Sequence, residues 1–341
     1  MERKTFRVSS EVFHELVVHP HFGDTLDNND NLVPSTEEGD WAIIDSPKHR
    51  VPVIDVFGHT NVLKRRDASC KIIYSPAAKL SNRWIWGEDL YAATEDCQSE
   101  FYQGSFEDWK REDWENFGMH VMPILYKATG TDLFTNKYFG DITRSADPNN
   151  IHSWNKFDGV FTQYAKYVSQ GTVATPTAIA AGAISAANAY TLLSTLYAGM
   201  PELLADMDDE DKCFYVNKDI YDAYGDWLIT GTNSGAISYS ELQAGRQKLY
   251  FKGIEVKPKK WNGILKALNG GTKAHAAILT VRGNFLFKTD STYGGGENKD
   301  EAVRMWYSMD EDVWKKQLYV QGGTEVIAPQ LTVLAITDGL I

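Results

Sequence analysis

The chain has 341 residues, 43% hydrophobic and 23% charged, with a formal net charge of −12. This length can bury a substantial core in one elaborate domain or in two or three simpler ones, and no apolar run of about 18 residues is present to cross a bilayer, so a soluble protein is expected. The acidic balance disfavours a surface that grips phosphate throughout, since that needs clustered Lys and Arg, and the opening residues lack the apolar core and cleavage site of a secretory signal, which makes a cytoplasmic origin the default expectation.

Residues 1–39 are polar and turn-rich, with Asp27-Asn28-Asn29-Asp30-Asn31 and Pro34-Ser35-Thr36-Glu37-Glu38 offering no helical period, and they read as an extended arm. From Trp41 to Tyr74 follow extended runs rich in Val and Ile, one including VPVIDVF and the next including CKIIY, with Gly58 and a charged segment between. A long, protruding β-hairpin is the simplest reading, with Lys64-Arg65-Arg66-Asp67 near its turn. Short charge runs are usually solvated turns; the sharper reading is a basic tip that docks on an acidic neighbour.

Ser105 followed by Asp108 has the Ser-x-x-Asp spacing of a helix N-terminus, where the hydroxyl caps a free backbone N–H and the acid faces the positive helix end. Phe106, Trp109, Trp114, Phe117, Val121 and Leu125 then recur at intervals that lie roughly along one face. Pro123 predicts a break near Met122, because an interior proline removes a backbone hydrogen bond and costs roughly 3 kcal/mol, and Gly130-Thr131 predicts the stop. Residues 141–155 are irregular, Asp147-Pro148-Asn149-Asn150 is a turn, and a domain boundary is expected there.

The small-residue stretch that follows leads into Ala189, Leu192, Leu193, Leu196, Tyr197 and Met200, the stripe of an amphipathic helix that Pro201 should end. The acidic run Asp206–Asp211 predicts an exposed loop, CFYV a short buried strand, and Asn217 a cap for a second helix with Ile220, Tyr221, Tyr224 and Leu228 inward. TGTNSGAIS reads as a mobile loop, KLYFKGIEVKP as strand, bend and strand pivoting on Gly253, and AAILTVRGNFLFKTD as more extended structure. After Gly294-Gly295-Gly296 come long C-terminal strands, with Val303, Met305 and Tyr307 on one face and Arg304, Trp306 and Ser308 on the other. Trp306 and Trp314, exposed in part, are candidate subunit contacts beside Lys64, Arg65 and Arg66.

The sequence carries no recognisable catalytic, cofactor or metal signature. TYGGGEN lacks the spacing of a dinucleotide or phosphate loop; His19 and His21 have no third ligand at sensible spacing and read as exposed or packed. Asp206–Asp211 lacks the glycine and terminal glutamate of a calcium loop, and Asp310-Glu311-Asp312 sits where a hairpin turn is expected. Cys70, Cys97 and Cys213 have no paired spacing and read as reduced and mostly buried. No catalytic, cofactor-binding or metal residue is assigned.

With helix, strand and helix from Asn188 to Leu228 and long strands from Glu301 onward, the chain resembles the major capsid proteins of tailed bacteriophages, which share the Hong Kong 97-like shell fold. The resemblance implies an α+β fold in this order: an N-terminal arm at 1–39, an extended β-hairpin loop at 40–86, then a spine helix and the first part of a peripheral domain at 87–150. An axial α/β domain at 151–290 and peripheral strands with a C-terminal closing strand at 291–341 complete it. Within it Ser105 to Gly130 is similar to the spine helix, FKGIEVKP to the strand leading into the shell centre, and GGTEVIAPQLTVLAI to the closing strand.

What the resemblance implies is a non-enzymatic subunit that assembles with itself, as hexamers and pentamers, into an icosahedral shell around double-stranded DNA without sequence-specific binding. It implies a virion capsid assembled in the bacterial host cytoplasm, with portal, scaffolding or decoration proteins as further partners and no membrane. No long charged helical segment precedes the arm, so the expectation is that a fused scaffolding domain is absent or supplied by a separate protein, and no Lys–Asn cross-linking pair is identified. An encapsulin-type nanocompartment enclosing enzyme cargo stays open as an alternative, and an ordinary soluble α+β enzyme as a third.

Overall fold

A computed structural model of the chain describes residues 5–9, 25–26, 32–33, 40–53, 83–97, 114–146, 153–229, 248–290, 301–308, 311 and 313–340. The tip around Lys64–Asp67, the helix start at Ser105, the 147–150 turn, the TGTNSGAIS loop, the Gly294–Gly296 turn, His19, His21 and Cys70 lie outside those residues. In chain order the strands are β1 (Thr5–Ser9), β2 (Thr25–Leu26), β3 (Leu32–Val33), β4 (Trp41–Asp45), β5 (Arg50–Pro52), β6 (Trp84–Trp86) and β7 (Glu88–Cys97). Helices α1 (Trp114–Phe139) and α2 (Val160–Ser169) follow, then β8 (Thr177–Ile179), α3 (Ala186–Ala198), α4 (Glu202–Ala205), β9 (Lys212–Asn217) and α5 (Lys218–Ile229). The rest is β10 (Leu249–Phe251), β11 (Ile254–Lys259), α6 (Asn262–Leu268), β12 (Ala276–Val281), β13 (Phe285–Thr289), β14 (Glu301–Ser308), β15 (Val313–Val326) and β16 (Thr332–Thr337).

The strands form two sheets and a ribbon. One sheet runs β1-β14-β15-β13-β4 with β7 on β15, the other β3-β2-β11-β9-β12-β16-β8 with β10 on β11, and β5 pairs only with β6. The near-continuous apolar runs of β9, β12 and β16 follow from burial on both faces of the second sheet. Phe214, Val216, Ala277, Leu279 and Ala335 pack toward Leu193 and Leu196 of α3 and Ile220 of α5. Cys213, Tyr215, Ala276, Ile278 and Leu334 face the core shared with α1, α2 and the first sheet. At its centre Tyr138 lies 4.9 Å from Trp261, 5.5 Å from Trp41 and 6.4 Å from Phe285, ring centre to ring centre. Of the stripe expected on α3, Ala189, Leu192, Leu193 and Leu196 are buried, whereas Tyr197 is half-buried and Met200, past the helix end, is too; Ile220, Tyr224 and Leu228 of α5 point inward, with Tyr221 half-buried. The KLYFKGIEVKP bend closes on Lys252 (φ 48°) and Gly253 (φ 90°), an adjacent pair at positive φ that joins two antiparallel strands.

Some local expectations give way to tertiary packing. Helix α1 runs unbroken through Pro123 and Gly130 to Phe139, not breaking near Met122 or stopping at Thr131. Leu133, Phe134, Tyr138 and Phe139 lie beyond the expected stop and are buried; at roughly 1.5–3 kcal/mol each, they outweigh one lost hydrogen bond. The hydroxyls of Thr129, Thr131 and Thr135 donate to carbonyls four residues back, which keeps the helix wall saturated there. The stop falls at Gly140, whose N–H reaches the Asn136 carbonyl and where a Cβ would lie 2.0 Å from the Phe157 carbonyl oxygen. Asn217 spends its side chain on Asn262, His275 and the Ala276 N–H, tying β9 to α6 and β12 across the sheet. Gly283 (φ 69°) turns AAILTVRGNFLFKTD so that β12 joins one sheet and β13 the other. β15 and β16 divide the same way, so TVLAIT lies in the sheet of β9, not beside the other C-terminal strands.

Two polar clusters join the layers. Asp40, fully buried at the start of β4, receives Lys257 Nζ at 2.8 Å, Lys259 Nζ at 3.0 Å and the Tyr215 hydroxyl at 2.9 Å. Burial alone would raise the Asp40 carboxyl, but the two ammonium groups reverse the shift and hold it below the usual carboxylate value. Arg83, just before β6, donates to the carbonyls of Val326 and Ile327 where the chain leaves the first sheet, and to the Tyr167 hydroxyl. Tyr167 in turn donates to Glu325 at 2.6 Å. Burial pushes the Glu325 carboxyl above its usual value despite that bond.

Candidate assembly surface

Exposed large apolar side chains mark the surface best suited to contact with other chains. The β5–β6 ribbon pairs Arg50 with Trp86 and Pro52 with Trp84, which places all four on one face by the period-two rule. Ile85 points the other way and is buried, packed with Val53 and Leu286. Trp84 and Trp86 are 42% and 56% exposed, and the Arg50 guanidinium lies 4.9 and 5.8 Å from their ring centres. This cation spans two indole faces at the root from which residues 54–82 depart. Beneath it lies a cavity of about 370 Å³ that reaches Ile142, Asp158 and Lys166.

The ribbon sits tightly on the first sheet. Gly323 of β15 meets the Trp86 carbonyl, where a Cβ would come within 1.8 Å. Lys288 of β13 donates to the Ser46 carbonyl at 3.3 Å and to Gln321, which donates to Asp89 at 2.7 Å, so both ends of the loop root are tied to β13 and β15. Burial lowers the Lys288 ammonium below its usual value, against the pull of Asp290, Asp89 and Asp45.

Immediately after the ribbon, β7 lies antiparallel to β15 over ten residue pairs, from Cys97 opposite Val313 to Glu88 opposite Gly322. Among the described residues β7 pairs with β15 alone and has no second strand neighbour. Leu90 and Ala92 turn toward the core, whereas Tyr91 is 76% exposed and Glu88, Asp89, Ala93, Thr94 and Glu95 are exposed as well. A groove of about 480 Å³ runs between this edge and α1, lined on the helix side by Thr129, Asp132, Leu133 and Asn136.

The contact candidates read from the sequence fare unequally. Lys64, Arg65 and Arg66 lie outside the described residues. Trp306 is half-buried with the Arg304 guanidinium 5.2 Å from its ring centre, and the outer edge of β14 is taken by β1 of the same chain, Thr5 opposite Trp306. Trp314 is 8% exposed and belongs to the main core, so its expected partial exposure is corrected: it shares the inward face of β15 with Leu318 and Val320. The sequence reading does not single out Trp84, Trp86 or Tyr91; the one local signal for them is the aromatic-rich run WIWGEDLY, typical of strand. Among the described residues no group of three His, Cys, Asp or Glu is placed to hold a metal, and Cys213 is a buried thiol pushed far above its usual value by burial.

No family profile matches the sequence, and no curated protein matches it. Solved structures do. A chain of the satellite phage P4 procapsid, determined with its size determination (Sid) protein, superimposes with a TM-score of 0.59 at 9% identity over 86% of this chain and 84% of that one. A chain of the capsid of a native GTA particle gives a TM-score of 0.51 at 12% identity over 89% and 90%. At such identities the likeness is one of fold, and the fold is the α+β capsid fold expected from the order of elements.

Proposed function

We propose that this protein is a major capsid subunit that self-assembles into an icosahedral shell enclosing the double-stranded DNA genome of a tailed bacteriophage. The observation that carries the reading is the likeness to the P4 procapsid chain over most of both chains. The surface supports it: a ten-residue strand with no second neighbour among the described residues, a Trp–Arg–Trp ribbon at the root of the 54–82 segment, and exposed Tyr91 are features that a closed assembly buries. Shells need many modest interfaces, weak enough to correct errors in assembly. Residues 1–39 serve as arm, 40–86 as extended loop and 151–290 as axial domain. Lys64, Arg65, Arg66 and Trp306 meet neighbouring subunits in hexamers and pentamers; portal and scaffolding or decoration proteins complete the virion, built in the host cytoplasm.

The test is recombinant expression followed by electron microscopy and nuclease treatment. Closed shells, and nuclease-protected DNA in particles from infected cells, are the expected result. A chain that stays a small oligomer at every concentration and salt overturns the reading, and shells that hold an enzyme cargo instead of DNA replace it with the nanocompartment.

A further inference from the structure

The register of the first sheet brings an amine, a carboxamide and a carboxylate together. Asp89 of β7 lies directly opposite Gln321 of β15, and Lys288 of β13, opposite Gly323, is the diagonal neighbour of Gln321. Lys288 Nζ donates to Gln321 Oε1, and Gln321 Nε2 donates to Asp89 Oδ1 at 2.7 Å. Lys288 and Gln321 are buried at 0% and 2% exposure, whereas Asp89 stands exposed at the mouth of the cluster. The pair meets where a side chain is missing: a Cβ on Gly87 would lie 2.5 Å from Lys288 Nζ, 2.8 Å from Gln321 Oε1 and 2.9 Å from Gln321 Cδ. Because Nζ touches Oε1, Cδ lies no more than one carbonyl bond, about 1.2 Å, further from it. Amine and carbonyl carbon are therefore held at the roughly 3–3.5 Å of a poised reacting pair. Burial favours the neutral amine that such a reaction needs, against the carboxylates of Asp290, Asp89 and Asp45 that face it from β13, β7 and β4.

We propose that Lys288 and Gln321 of the same chain condense into an isopeptide bond, with Asp89 carrying the proton between the two nitrogens. Nζ, having released one proton from its ammonium form, attacks Cδ. Asp89 takes a second proton from the attacking nitrogen and delivers it to Nε2, the Cδ–Nε2 bond breaks, and ammonia leaves past the exposed carboxylate. The departing ammonia takes up the proton first released, so an ammonium group and a carboxamide become a secondary amide and one ammonium ion, with no oxidant, metal or co-reactant. The bond joins residues 33 apart and clamps β13 to β15 beside Ser46 and Gly87, at the root of residues 54–82. It forms within one subunit and does not depend on the shell reading.

The test is a tryptic digest of the full chain, folded and held at about pH 9, where a lysine amine is more often neutral than at pH 7, with the peptides read by mass spectrometry. An acylated Lys288 resists trypsin, so the expected product is residues 283–299 joined to residues 317–341, lighter than the two together by one ammonia. Lys288→Met and Gln321→Met should each abolish the branched peptide. Asp89→Asn should lower its yield at equal times by about tenfold or more, the loss expected for a missing proton carrier. Absence of the branched peptide from the folded wild type overturns the proposal, a result that needs no variant to fold. So does its formation at the same rate in urea, where the sheet no longer holds the pair, and so does recovery of Gln321 as a glutamate beside an unmodified Lys288, which would mean that water and not the amine reaches Cδ.

Discussion

Replacing Asp40 by Asn probes the contact that ties the start of β4 to the second sheet. The carboxylate is fully buried, and so are its two cations, Lys257 at 3% exposure and Lys259 at 0%. Asn keeps the shape but removes the charge, leaving two buried ammonium groups without their shared counter-ion. Breaking a buried pair from one side costs about 3–5 kcal/mol. Unfolding entropy of about 2.1 cal/mol/K per residue gives a chain of this length about 0.7 kcal/mol/K, so the variant should melt roughly 4–7 °C lower. The pH dependence follows from the direction of the shift. The folded carboxyl sits below the unfolded value of about 3.9, so its stabilisation is fully present above that pH and is lost as pH falls through the folded value. Calorimetry on unassembled subunits should therefore show a wide gap between wild type and Asp40→Asn from pH 5 to 8, closing below about pH 4. Melting within about 1 °C of wild type at pH 7, or a gap that fails to close in acid, would refute the reasoning.

Glu325 behaves in the opposite sense: its folded carboxyl lies above the usual value through burial, so the stability it contributes is present at acid pH and lost as pH rises. Glu325→Gln, which still accepts from Tyr167, should be as stable as wild type or a few degrees more so at pH 8, with the difference vanishing toward pH 4 in paired melts. Arg83→Ala strips the carbonyls of Val326 and Ile327 of a shared donor, and at about 1–3 kcal/mol for an unsatisfied buried group the melting point should fall by roughly 1–4 °C. Gly323→Ala drives a methyl into the Trp86 carbonyl, so it should destabilise by about 1–3 kcal/mol or more and alter Trp84 and Trp86 fluorescence, whereas the same change at Gly263, where space is open, should leave that fluorescence unchanged. Leu193→Ala empties a fully buried site between α3 and the second sheet and should cost about 2–5 kcal/mol in denaturant titration.

Period and punctuation alone determined the elements whose burial is one-sided or complete over a short span. The α3 stripe, the buried CFYV strand, the inward face of α5, the Gly253 bend and the alternation of β14 were legible because each pattern is local and its period matches its backbone. Their order along the chain was enough to expect the capsid fold. What lay beyond the sequence were decisions made by distant partners. Pro123 and Gly130 punctuate a helix only until Leu133, Phe134 and Tyr138 find a core to fill. Trp314 reads as an exposed aromatic until β15 acquires β14 on one side and β7 on the other and turns that residue inward. Likewise, no spacing rule places Asp40 between two lysines over 200 residues away, or sets β1 against the outer edge of β14. Hydrophobic pattern fixes which face of an element must be covered; only the packed tertiary structure chooses what covers it, because that choice is made by shape and charge across contacts that sequence separation does not encode.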